Sequence, residues 1–325
     1  MKKEIVYLSI FALLLTLGCF TNKGNIEINE TKVSSVSDVE VLDGALNWYV
    51  IGDFGRNGYD GQQELADQMQ VMTKVIEPEF IITTGDNFYP DGVASTQDPY
   101  WISSFENVYS GFGLFVPWYA ILGNHDYRGN YQAEIDYTNV SQRWNMPAQY
   151  YVKEKSEDDV TVKLVFIDTN PYEDGYYTQE KYKAIWGQDS TKQLHWMDSV
   201  LADNTADWKI VVGHHPLYSG GKRLNDTQNV RGHLEKVLKK HEVDVYFAGH
   251  EHDLQHIQNP SYKTHHIISG AGSEVRPTAK MEYSLFAASI QGFVAASATR
   301  EQLLLQFISY EGEVIYRYNI KKQVK

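Results

Sequence analysis

Seven stretches of the chain are nearly continuous in apolar, β-branched or aromatic residues: Asn47 to Ile51, Phe80 to Thr84, Trp118 to Leu122, Val162 to Ile167, Trp208 to Val212, Val243 to Ala248 and Thr264 to Ser269. Runs of this length predict strands covered on both faces, because a strand with one wet face would alternate apolar and polar residues. Between them the spacing becomes that of a helix: Leu65, Met69, Met72 and Ile76 share one face, as do Leu194, Met197 and Leu201, and Val230, Leu234, Val237 and Leu238. Alternating strands and helices predict an α/β fold. The C-terminal part differs, with Gly292 to Ala298, Gln302 to Ser309 and Glu313 to Ile320 reading as successive strands and Glu311-Gly312 as a tight turn. The expected architecture is therefore two packed mixed β-sheets flanked by helices, an αββα sandwich of α/β class with α+β character.

The first 19 residues stand outside this pattern. Lys2 and Lys3 precede an apolar run from Ile5 to Leu17, which is too short for a comfortable membrane span and has the layout of a secretion signal. Cys19 is the one cysteine in 325 residues, so no internal disulfide can form. Leu17-Gly18-Cys19 resembles a bacterial lipoprotein signal, in which that cysteine is lipidated; ordinary signal cleavage beside an incidental cysteine is the alternative. Either way the chain is expected to be exported, as a periplasmic or cell-envelope protein. Residues 20–44 are polar and read as a flexible tether, leaving 45–325 as one folded catalytic domain. With 29 basic against 42 acidic residues the formal net charge is -13, and no basic cluster offsets it. That excludes nucleic acid as a partner and limits membrane contact to a lipid anchor at Cys19. Nothing in the pattern indicates an oligomeric state.

Five of the predicted strands end in side chains that carry chemistry: Gly52-Asp53-Phe54-Gly55, Gly85-Asp86-Asn87-Phe88-Tyr89, Gly123-Asn124-His125-Asp126, Gly213-His214-His215-Pro216 and Gly249-His250-Glu251-His252. Open α/β sheets bind ligands at the carboxyl ends of their strands, so one cleft can collect all five. Singly, each is an ordinary turn signal; jointly and in order they point to a metal centre. Aspartate and tyrosinate oxygens suit a trivalent ion, whereas imidazole nitrogen and amide oxygen suit a divalent one, so the donors read as serving two unlike metals.

Gly85-Asp86-Asn87-Phe88-Tyr89, Gly249-His250-Glu251-His252-Asp253-Leu254-Gln255, and the closing Gly270-Ala271-Gly272 with Gly292-Phe293 carry a family resemblance. From Asn47 to Lys325 the chain resembles the calcineurin-like metallophosphoesterases, and within them the purple acid phosphatases of the small, tartrate-resistant type. Tyr89, three residues after Asp86, is the specific mark. The resemblance implies that Asp53, Asp86, Tyr89 and His252 hold a ferric ion. It implies that Asp86, Asn124, His214 and His250 hold a divalent ion (iron, zinc or manganese), with Asp86 bridging. It further implies hydrolysis of a small-molecule or protein phosphate monoester, with metal-bound hydroxide as nucleophile and His125 protonating the leaving oxygen. The two ions bring about +5, which the anionic ligands and hydroxide reduce to about +1, enough to attract a phosphate to an acidic protein. A ferric ion also acidifies its bound water, so an acidic working range is expected. The competing readings are a dimetal phosphodiesterase or nucleotide hydrolase of the same superfamily, and a non-catalytic surface lipoprotein.

Several residues stay open at this point. Asp126 either orients His125 or caps the following turn, and His215 either contacts phosphate or belongs to the loop. Many members of the resembled family carry a further substrate-binding histidine where this chain has Ser219-Gly220-Gly221-Lys222-Arg223, so Lys222 or Arg223 either contacts substrate or lies in a solvated loop. Tyr172, Tyr176, Tyr177 and Tyr182 either line the cleft rim or pack on the surface. The run Glu154 to Asp159 reads as a solvated hairpin loop, and His265 and His266 as strand residues on opposite faces, neither of them a ligand.

Overall fold

The apolar runs become strands of two seven-stranded sheets in a computed structural model that describes residues 38–223 and 228–322. In chain order the strands are β1 (Leu46–Ile51), β2 (Phe80–Thr83), β3 (Trp118–Tyr119), β4 (Trp144–Asn145), β5 (Tyr151–Glu157), β6 (Val160–Phe166), β7 (Trp208–Val212), β8 (Val245–Ala248), β9 (Leu254–Ile257), β10 (His265–Ser269), β11 (Ser284–Ala288), β12 (Gly292–Ala298), β13 (Gln302–Ser309) and β14 (Val314–Lys321). The first sheet has the order β14-β13-β12-β1-β2-β3-β4, and the second β11-β9-β10-β8-β7-β6-β5. The helices are α1 (Gln62–Met72), α2 (Tyr131–Asp136), α3 (Ser190–Leu201) and α4 (Gln228–Lys240).

Strand alternation divides the core into two layers. Along β6, β7 and β8, Val162, Leu164, Phe166, Trp208, Ile210, Val212, Val245 and Phe247 join the cluster built with the first sheet and α1. Their neighbours Val165, Val211, Tyr246 and Ala248 join a second cluster with Met197 and Leu201 of α3 and Val230, Leu234 and Leu238 of α4. Because both sides of these strands are covered, they read as continuous apolar runs. Within the first sheet β1, β2, β3 and β4 pair in parallel, and within the second so do β6, β7, β8 and β10. Parallel pairing points all these strands the same way within each sheet, so the motifs at their ends share an edge. The expected C-terminal meander is present as β12-β13-β14, with Gly312 taking the left-handed φ of +84° in its last turn.

Some expectations differ from the structure. The run Glu154 to Asp159 is a strand and not a loop: β5 continues to Glu157, and only Asp158-Asp159 separates it from β6. As the edge strand, β5 exposes most of these residues, so charge is tolerated where a central strand would reject it. The end of the expected tether is tied to the fold, since Glu40 donates its N–H to Gln306 at 2.9 Å and accepts from the same amide at 2.8 Å. The leader, Cys19 and the tether up to residue 37 lie outside the described residues.

Candidate metal centre

Three of the five motifs turn sharply as they leave their strands. Asp53 after β1, Asp86 after β2 and His250 after β8 have φ of +57°, +50° and +68°, a conformation that L-residues with a Cβ adopt only at a cost. The turn is crowded as well. A Cβ on Gly123 would lie 2.2 Å from Asp86 Oδ1, and one on Gly249 would lie 2.4 Å from Asp53 Oδ2, so glycine lets the Asn124 loop close on its neighbour in the first sheet and the His250 loop of the second sheet close on the Asp53 loop of the first. Asp53, Asp86, Asn124, His214, His250 and His252 all become buried.

The phenol oxygen of Tyr89 is 3.0 Å from Asp53 Oδ1, 3.0 Å from Asp86 Oδ2 and 3.1 Å from His252 Nε2. One hydroxyl proton cannot serve two carboxylates and an imidazole at once, so this convergence of lone pairs calls for a cation. A second convergence lies beside it. His214 Nδ1 meets the Thr84 carbonyl at 2.8 Å and must carry the proton there, which leaves the lone pair on Nε2. That lone pair faces Asn124 Oδ1 at 3.3 Å, His250 Nδ1 at 3.2 Å and Asp86 Oδ1 at 3.5 Å. Hydrogen bonding alone would favour turning the Asn124 amide so that its NH2 met His250 Nδ1 at 2.9 Å; the oxygen there instead suits a metal ligand. Asp86 directs one oxygen into each group, as a bridging carboxylate would. Asp53, Asp86 and His214 place donor atoms within 4.8 Å of one another, and the residues present fit two adjacent cations of different hardness.

Electrostatics agree. Burial, then the charge of Asp86, raises the Asp53 carboxyl far above its ordinary range, and burial with both aspartates raises the Tyr89 phenol. Burial also pushes Asp86 up, but the rings of His214 and His125 outweigh it and hold it low. All five histidines of the neighbourhood, His125 included, are driven toward the neutral form by burial above all, His252 to about 3. Neutral imidazoles are the form a metal binds, so protons compete little for those positions.

His125 is partly open to solvent and approaches the bridge, its Nε2 lying 4.0 Å from Asp86 Oδ2. Its Nδ1 meets the Pro90 carbonyl at 2.5 Å, which assigns the proton to that nitrogen and leaves Nε2 toward the cleft. Asp126 does not touch this ring. It accepts from the backbone N–H of Gly123 at 2.7 Å, Asn87 at 2.9 Å and Phe88 at 3.2 Å, and so fastens the Asp86 loop to the Asn124 loop. His215 is buried with Nδ1 on the Thr169 hydroxyl and Nε2 on the Tyr176 hydroxyl, both at 2.8 Å, so its ring holds the loop. Lys222 is exposed, and Arg223 donates its backbone N–H to Glu251 at 2.5 Å. His265 and His266 lie on β10 in contact with His256 and Tyr262 respectively, away from the donors.

Other side chains at the centre were not singled out by the motifs. Tyr182, one of the tyrosines with two readings, accepts from Asn124 Nδ2 at 3.2 Å and from Arg128 Nη2 at 3.1 Å, while Arg128 Nη1 is 2.9 Å from His125 Nδ1. Arg56 lies over the ring of Tyr89. Asp168, past the end of β6, accepts from Tyr127, and burial pushes its carboxyl up to about 6. Its place at a strand end is the same signal as in the other motifs, but no glycine precedes it. Arg56 and Arg128 offered only loop charge, which usually means a solvated surface.

Comparison with known proteins supports the same reading. Residues 46–254 match the family model described as calcineurin-like phosphoesterase. Purple acid phosphatase 3 of Arabidopsis thaliana is 34% identical over 290 residues, covering 85% of this chain and 78% of that protein. Tartrate-resistant acid phosphatase type 5 of Homo sapiens is 27% identical over 302 residues, covering 86% and 92%. Among solved structures, the Plasmodium protein described as GAP50, the anchor in the inner membrane complex, superposes with a TM-score of 0.74 at 28% identity, over 86% of this chain and 90% of that one. Fold, converging donors and relatives agree: this chain belongs to the purple acid phosphatases, within the calcineurin-like phosphoesterases.

Proposed function

We propose that Asp53, Asp86, Tyr89 and His252 hold a ferric ion, that Asp86, Asn124, His214 and His250 hold a divalent iron, zinc or manganese, and that His125 is the general acid. The chain is a metal-dependent phosphate monoester hydrolase with a dinuclear centre, as its family membership establishes. When bound, the metals supply Lewis-acid polarisation of the phosphoryl oxygen and a water acidified enough to attack phosphorus. The side chains do the rest. Asp86 fixes the two halves together and accepts the His125 backbone N–H at 2.7 Å, which ties the acid loop to the bridge. With His125 Nδ1 on the Pro90 carbonyl, the proton of an imidazolium on Nε2 is the one available to a leaving oxygen. Asn124 is steadied by Tyr182.

The single observation that carries this reading is the Tyr89 phenol oxygen, set at about 3 Å from two carboxylates and an imidazole. Metal analysis with a visible spectrum on protein purified without chelators tests it. Iron with a tyrosinate charge-transfer band is expected, and Tyr89→Phe should lose the band while keeping metal. A colourless dizinc or dimanganese protein would overturn the ferric assignment. For His125→Ala the rate on an ester with a poor leaving group should fall about 10²–10⁴-fold with metal content unchanged; an unaltered rate would remove the acid role.

Export and anchoring through Cys19 complete the reading, supported by the short apolar segment that precedes this lone cysteine. Cys19→Ser should abolish fatty-acid labelling, and unchanged labelling would reject the anchor.

A further inference from the structure

Three residues past Asp53 the chain places an arginine against the metal site without giving it a ligand to bind. The guanidinium carbon of Arg56 is 4.0 Å from the centroid of the Tyr89 ring, within cation–π range. Its Nε donates to Ser273 Oγ at 3.1 Å, and its Nη2 donates to Glu274 at 2.8 Å. Ser273 Oγ in turn donates to the Asp53 carbonyl at 2.6 Å, so the seat of the guanidinium is tied to the loop that presents Asp53. The Arg56 side chain is 19% exposed, whereas its partners Glu274 and Asp60 are 48% and 56% exposed. The carboxylates therefore sit in solvent, where water screens them, while the cation is turned inward onto the ring. Its hydrogen bonds leave the phenol oxygen alone, and its contact with Tyr89 is through the π face.

We propose that Arg56 tunes the ferric half of the centre through the ring of Tyr89, setting the energy of the tyrosinate-to-iron charge transfer and the reduction potential of the iron. The inference rests on the reading of Tyr89 as a ferric ligand. A positive charge over the ring lowers the energy of the phenolate electrons, so the electron that moves to iron on absorption of light starts from a deeper level. The same charge opposes the higher positive charge of the ferric ion and weakens donation from the phenolate. Both effects favour the one-electron reduction of ferric to ferrous iron, in which Tyr89 stays bound and no atom is transferred. Removing the guanidinium therefore shifts the band to longer wavelength and makes the potential more negative.

The test uses iron-loaded full-length protein. Arg56→Met keeps an apolar stem over the ring without the charge, and Arg56→Lys keeps the charge. Arg56→Met is expected to move the band to longer wavelength by about 10 nm or more, with a more negative midpoint in a dithionite titration with redox mediators, while Arg56→Lys stays close to wild type. Glu274→Gln removes an opposing charge with the guanidinium in place and is expected to shift the band slightly the other way. A band at the wild-type position in Arg56→Met of equal iron content would overturn the proposal while leaving Tyr89 as a ligand. If Arg56→Met does not hold iron, a band at the wild-type position in iron-loaded Arg56→Gln, which also removes the charge over the ring, overturns it. A wild-type protein that binds iron without any band would instead remove the ferric–tyrosinate reading, and this inference with it.

Discussion

Buried histidines gather in two places on the second sheet, and the two groups are built on opposite principles. Past β7 and β8, His214 Nε2 and His250 Nδ1 face each other at 3.2 Å, with oxygens of Asp86 and Asn124 turned toward the same space. On β9 and β10, His256 Nε2 and His265 Nδ1 are even closer, at 2.8 Å, but His256 Nδ1 has the Tyr316 hydroxyl at 3.1 Å and His266 Nε2 has the Tyr262 hydroxyl at 2.6 Å. There, both ring nitrogens of His256 and the Nδ1 of His265 can be matched one lone pair to one proton, as a buried polar core requires, and among the buried nitrogens of these rings only the His266 Nδ1 lacks a partner. At the first place lone pairs exceed protons. His215 shows that proximity does not decide the matter: it clusters with His214 and His250, yet two hydroxyls occupy its ring nitrogens. A metal site is marked by this excess of donors over protons, and the number of histidines says little.

Substitutions can break the contrast. The largest effect is expected from Asp86→Ala, which removes the carboxylate shared by both groups: metal content should collapse and kcat/KM fall at least ~10³-fold. His256→Ala, in the other cluster, should retain metal and activity within about threefold while lowering stability by about 2–4 kcal/mol, measured by urea unfolding beside metal analysis. If His256→Ala lost its metals, the division into two classes would fail.

Acid should separate the groups next. Burial holds His265 at about 4 and His266 at about 3. An unfolded imidazole takes its proton near 6.5, so below that pH the unfolded chain binds protons that the fold refuses. The stability these histidines contribute is thus present above about pH 6.5 and is lost as pH falls through their folded values, with His265 contributing about 3 kcal/mol of the change. Urea midpoints of metal-free protein should drop between about pH 6.5 and about pH 4, and His265→Gln should flatten that slope. A slope unchanged in the variant would exclude His265 as its source. The smallest effect is expected for Tyr262→Phe, which deletes the hydroxyl at His266: about 1 kcal/mol of stability, with metal content and colour untouched.

The sandwich and the donor set were legible because both rest on local signals. Continuous apolarity marked strands such as β7, whose limits at Trp208 and Val212 match the expectation, and glycine before the polar residue marked where each strand turned. What escaped depends on tertiary placement. β5 hid behind its charges because an edge strand answers to solvent on most of its side chains, and β9 is only four residues long and follows its motif directly. The role of Asp126 could not be chosen from sequence because its partners, the N–H groups of Asn87 and Phe88, belong to a segment almost forty residues earlier. Tyr182 reaches Asn124 across 58 positions, a meeting no local pattern announces.

Asp53, Asp86 and His250 share left-handed backbone angles, and each pays a conformational penalty on the order of 1 kcal/mol that glycine would escape. In a lineage that had stopped using its ions, this strain would favour drift toward glycine or asparagine at these three places, opposed by the hydrogen bonds that Asp53 and Asp86 accept from the backbone N–H groups of His250 and His125. A retired copy should therefore show itself first at these strained corners. This chain keeps two aspartates and a histidine there, which is the condition of a protein still at work.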